Sequence, residues 1–81
     1  MGAHSFDVDF KLVAPPPGLR DWIKNTARAF SASLFQLSES VGFWECHVEF
    51  DTMEKARSFA KTITSVTGTT MEPSAKPGPA G

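Results

Sequence analysis

Two stretches of strict apolar–polar alternation constrain this chain more than any other feature. Phe6, Val8, Phe10 and Leu12 alternate with Asp7, Asp9 and Lys11. Trp44, Cys46, Val48 and Phe50 alternate with Phe43, Glu45, His47 and Glu49. Period two is the signature of a strand with one buried face and one wet face. The pattern predicts strands over 6–13 and 41–50. It also puts every carboxylate of both strands on the wet side, because a slip of one residue would bury them all.

Between these segments the period changes. Pro15, Pro16, Pro17 and Gly18 end the first strand, since proline cannot donate to a ladder and stiffens the connection. From there Leu19, Ile23, Ala27, Phe30, Leu34 and Leu37 recur at spacings of three and four. This predicts one helix from Leu19 to Ser38, about 30 Å long. Trp22 flanks its apolar stripe, whereas Ala32 and Phe35 point away from it. A second helix starts at Asp51, which can cap a free amide, with Glu54 at capping-box spacing. Ala56, Phe59, Ala60, Ile63 and Val66 form its apolar side, and Gly68 is its expected stop. The β-branched run Thr62–Thr67 weakens that helix near its end. A short further strand is allowed near Thr69–Met71.

The expected fold class is therefore α+β, a two-layer β-α-β-α unit amounting to half of a ferredoxin-like sheet. Residues 1–5 are expected to be a flexible N-terminus and 6–71 a single domain. The Pro/Gly-rich stretch 72–81 is expected to be a disordered tail. If the two strands pair directly, they should run parallel through a right-handed crossover. A two-stranded sheet is marginal on its own. The chain has 81 residues, one cysteine and two histidines, so neither an internal disulfide nor a zinc-spaced cluster can support it. Completion of the sheet by dimerisation is the remaining expectation.

This order is similar to that of ferredoxin-like modules such as small-molecule regulatory domains, peptidoglycan-binding repeats and dimeric monooxygenase-like barrels. The resemblance is one of plan, carried by the strand-to-helix step Val48–Ala56, and brings no functional residues with it.

The net charge of −1 hides a separation. Arg20, Lys24 and Arg28 are four apart and line one helix face. Arg57 and Lys61 do the same on the second helix. Asp7, Asp9, Glu45, His47 and Glu49 share the outward face of the sheet. The two surfaces have opposite sign, and each can be a solvated face or a docking face. Cys46 and His47 are neighbours on a strand, so they point to opposite sides and cannot share a proton. Phe35 and Phe43 are large aromatics out of phase with their elements, which marks them as interface candidates. Trp22 and Trp44 read as core or core-edge residues. The hard oxygens around His47 suit a divalent cation in chemistry, but strand neighbours two apart are about 6–7 Å from each other, wide for chelation. No metal and no cofactor are expected.

The chain has no phosphate loop, dinucleotide fingerprint or Ser/His/Asp set. The expected function is a small non-enzymatic protein-binding module, an adaptor, inhibitor or regulator, acting as a homodimer. Its partner surface would include Phe35, Phe43 and the basic helix residues. One alternative is a nucleic-acid-binding protein using Arg20, Lys24, Arg28, Arg57 and Lys61, against which stands a pI near 6.0. Another is a ligand-binding or enzymatic ferredoxin-like protein with a pocket between subunits. A bilayer-spanning run of about 20 apolar residues is missing. The free thiol and the lack of an export signal make the cytoplasm the expected compartment.

Overall fold

A computed structural model describes residues 4–77. The elements are β1 (His4–Val13), α1 (Leu19–Ala29), β2 (Leu34–Ser40), β3 (Phe43–Phe50), α2 (Met53–Thr67) and β4 (Ser74–Pro77). They form a four-stranded antiparallel sheet of order β2-β3-β1-β4 with two helices. This arrangement is compatible with a ferredoxin-like fold. No helix among the described residues is long and apolar enough to cross a membrane.

The alternation in β1 and β3 sorts their residues as expected. Val8, Phe10, Leu12, Cys46, Val48 and Phe50 are buried, and Phe6 and Trp44 are half-buried on the same side. Ile23 and Ala27 of α1 and Ala56, Phe59, Ala60 and Ile63 of α2 close over them. Phe59 is the centre of this layer. Its ring lies 5.2 Å from that of Phe50 and 6.3 Å from those of Phe10 and Phe30, the last edge-on. Such tilted and edge-on pairs are the favoured aromatic geometries. Trp22 packs against the edge of the same core.

The single long helix expected over Leu19–Ser38 does not form. α1 ends at Ala29, Ser31 takes a left-handed φ of 59°, and the chain turns into β2. The backbone N–H of Ser33 donates to the Glu49 carbonyl at 2.8 Å, which starts the pairing with β3. Leu34 and Leu37 fit a helical stripe by spacing, yet in the strand they lie on opposite faces. Leu37 stands against buried Cys46, and Leu34 stands against Glu49 on the outer side. Phe35, expected off the stripe and at an interface, stands against Val48 and packs half-buried on the core. Seven residues with both periodicities are decided by their partner strand and not by propensity.

The strand gained here changes the topology. A turn at Val41-Gly42, with Gly42 at φ 85°, sends the chain back as β3. β1 and β3 are therefore direct neighbours but antiparallel, where direct pairing was expected to be parallel. The other edge also departs from expectation. The strand foreseen near Thr69–Met71 forms instead at Ser74–Pro77, inside the stretch expected to be a disordered tail. It pairs with His4–Asp7, of which residues 4 and 5 belong to the stretch expected to be a flexible N-terminus and residues 6 and 7 to the expected first strand. Residues 1–3 and 78–81 lie outside the described residues. Prolines 73 and 77 suit an edge strand, which has one side free of ladder bonds. β2 and β4 thus supply within one chain the strands that a second copy had been expected to add.

α2 also starts differently. Thr52, not Asp51, caps it: the Lys55 N–H donates to Thr52 Oγ1 at 3.2 Å. Asp51 instead accepts a bond from Lys55 Nζ at 2.9 Å, one helical turn on. The threonine-rich end stays helical to Thr67, with the hydroxyls of Thr62 and Thr67 turned onto the carbonyls of Ser58 and Ile63. Gly68 closes it at φ 76°. Val66, expected on the apolar side, is exposed.

Candidate functional site: a histidine held between carboxylates on the outer sheet face

The face turned away from the helices is built by register. Asp7 stands opposite Glu49, Asp9 opposite His47, Lys11 opposite Glu45 and Val13 opposite Phe43. β2 adds Leu34 beside Glu49, Gln36 beside His47 and Ser38 beside Glu45. Because β1 and β3 are central strands, their outward side chains form two adjoining rows in the middle of the sheet.

His47 organises this surface. Its Nδ1 lies 2.5 Å from Asp9 Oδ1, and its Nε2 lies 2.8 Å from Glu49 Oε2. The first contact crosses from β3 to β1, and the second runs along β3 on the same face. Its pKa is raised above the ordinary histidine value. The hydrogen bond to Glu49 contributes most, then that to Asp9, against a smaller opposing effect of burial; the charges of Asp9 and Asp7 add to the rise. Both carboxylates favour the imidazolium, which alone can donate from both nitrogens.

The remaining members differ in exposure. Asp9 and Glu45 are exposed and Glu49 is half-buried. Asp7, expected to be wet like the others, is only 2% exposed and accepts a hydrogen bond of 2.7 Å from Ser5 Oγ. It sits where β1 is paired on both sides, between Glu49 of β3 and Ser74 of β4. Position on an outward face therefore did not guarantee access to water.

Phe43 faces outward, as its phase required. Lys11 Nζ lies 4.1 Å from its ring centroid, a cation–π contact that half-covers the ring. Cys46 points the other way, into the core, where burial pushes its thiol pKa up to about 11. It is neither activated nor near enough in direction to work with His47. No hydroxyl or thiol among the described residues is hydrogen-bonded to the imidazole, and both of its nitrogens face carboxylates. The arrangement can hold and release a proton and present negative charge; it does not assemble a nucleophile and base.

Spacing between strand positions had argued against chelation here, and it misjudged where the side chains end. Ligand atoms of Asp7, His47 and Glu49 fall within 4.8 Å of one another. His47 Nε2 lies 2.8 Å from Glu49 Oε2, so a cation held there would have to displace that contact.

The basic residues are placed apart from one another. Arg20 forms an ion pair with Glu39 of β2, and Arg20, Asp21 and Lys24 line a groove with Phe35 and Leu37. Arg57 and Lys61 line a different groove, of about 770 Å³, with Glu54, Met71 and Glu72. Each groove includes an acidic side chain. Arg28 is exposed one turn beyond Lys24.

Sequence reasoning missed Leu34, Gln36 and Ser38 as members of the outer face, because it placed them on a helix. Two signals in the chain mark that strand: the Ser31-Ala32-Ser33 break and the Val41-Gly42 turn ahead of β3. Neither any known protein family nor any curated protein matches this sequence.

Proposed function

We propose that this chain is a non-enzymatic protein-binding module whose acidic outer sheet face receives a lysine- or arginine-bearing segment of a partner protein. One observation carries the reading. Asp9 and Glu49 hold His47 on a face that also carries Glu45, and the outward cation of β1, Lys11, is turned over Phe43. Negative charge concentrated on an open surface steers and orients a basic partner. The lack of a nucleophile–base pair at His47 is in keeping with binding without catalysis. The separation of the basic residues into two grooves of mixed charge weighs against a continuous phosphate-tracking surface. The reading needs no second copy of the chain, since the sheet is complete in one.

The test is a titration of the protein with a lysine-rich peptide at two salt concentrations, beside the Asp9→Asn/Glu45→Gln double variant. Affinity should fall about tenfold or more in the variant and should fall with salt in the wild type. Equal affinity in the two proteins would remove the sheet face as the docking surface.

A further inference from the structure

The carboxylates that a basic partner would need are the ones His47 already holds. Asp9 and Glu49 are each partly open to solvent, and the imidazole lies between them with one nitrogen directed at each. A protonated ring donates to both. A neutral ring has a single N–H, so one contact becomes a lone pair set against a carboxylate, and that carboxylate is freed. Resting on the docking reading above, we propose that His47 is a proton-operated gate on this face: protonated, it occupies Asp9 and Glu49; neutral, it releases one of them to a lysine or arginine of the partner.

The surroundings leave His47 in control of the charge in the range where it titrates. From β1 it is faced by Asp7, Asp9 and Lys11, and from β3 by Glu45 and Glu49. From β2 it meets uncharged Gln36. The β4 residue opposite Asp7 is Ser74, with Lys76 at the register position opposite Ser5. Thr69 and Thr70, which line the same groove, carry no charge. Among the accessible groups of β1 and β3, Asp9, Glu45 and Glu49 against Lys11 give a formal charge of −2 with His47 neutral and −1 with it protonated. Carboxylates and lysines ordinarily keep their charge between about pH 5.5 and 8.5, so histidine is the group that changes there. The raised pKa of His47 carries this change upward from the usual histidine range. Docking should then tighten as pH rises, and by linkage the docked partner should expel a proton.

The experiment is calorimetric titration of the full chain with a decalysine peptide between about pH 5.5 and 8.5 at constant ionic strength. Two buffers of different ionisation enthalpy count the protons released. Affinity should rise with pH, by up to about tenfold per unit below the pKa of His47, with proton release on binding. His47→Gln should bind with no such dependence. In the wild type, peptide should also lower the His47 pKa followed by NMR, a readout that survives if the variant folds poorly. Binding that is indifferent to pH, an unmoved His47 pKa, or the same pH dependence in His47→Gln would overturn the gate and leave the docking reading standing. No binding of decalysine at any pH would overturn both.

Discussion

The two faces of β1 and β3 are drawn from the same alternating segments, yet different physics holds each together. On the inner face, burial decides: Val8, Phe10, Val48 and Phe50 meet Phe59 and Ile63 with almost no exposure. On the outer face, charge and protons decide: His47 draws Asp9 and Glu49 together across and along the strands. The inner contacts are indifferent to pH and salt, whereas the outer ones depend on both. The structural core and the proposed binding surface are therefore separable by experiment although they share a backbone.

The strongest way to break this comparison is to strike the inner face. Phe59→Ala removes a fully buried ring that touches three others, and should cost about 3–5 kcal/mol of stability. Denaturant unfolding measures it, and the loss should be the same at pH 6 and pH 8 (both are ordinary assay values, roughly spanning the histidine range). A loss that varies with pH would mean the two faces are coupled.

The outer face should show the opposite behaviour. The folded-state pKa of His47 is raised, so its contribution is fully present below the unfolded value of about 6.5 and fades as pH rises through the folded value. Thermal melting should therefore show stability falling with alkalinity in that window, by about 1 kcal/mol for hydrogen bonds on partly exposed groups. His47→Gln should flatten the profile. A wild-type profile that rises through the same window would contradict the assignment.

Thr52→Ala serves as a reference lying on neither face. Losing the cap of α2 should cost about 1 kcal/mol in denaturant unfolding with no change in the pH profile. Lys11→Ala is the smallest expected effect. Removing the ammonium from the Phe43 ring should cost about 0.5–1 kcal/mol and leave the ring more exposed. It should also strengthen binding of a lysine-rich peptide, since a cation leaves the acidic face.

Much of this was legible in the chain, for identifiable reasons. Strands β1 and β3 have a period no helix can satisfy, so their faces followed directly from Phe6–Leu12 and Trp44–Phe50. The acidic set Asp7, Asp9, Glu45, His47 and Glu49 followed with them. Segment 34–40 was misread because Leu34 and Leu37 also fit a helical spacing. Its strand character is established by pairing with β3, including the bond from Ser33 to Glu49. Segment 74–77 looked like a tail because Pro and Gly dominate its surroundings, and it is a strand only because β1 offers it a free edge.

By itself the sequence determined to which side of the sheet each side chain of the central strands points, since alternation is a local property of an extended chain. Only the tertiary structure decided the strand order, the burial of Asp7 and the clasp of His47 by Asp9 and Glu49. Those features depend on which strands lie side by side and on how far long side chains reach across them, and neither quantity is written in the spacing of residues along one strand.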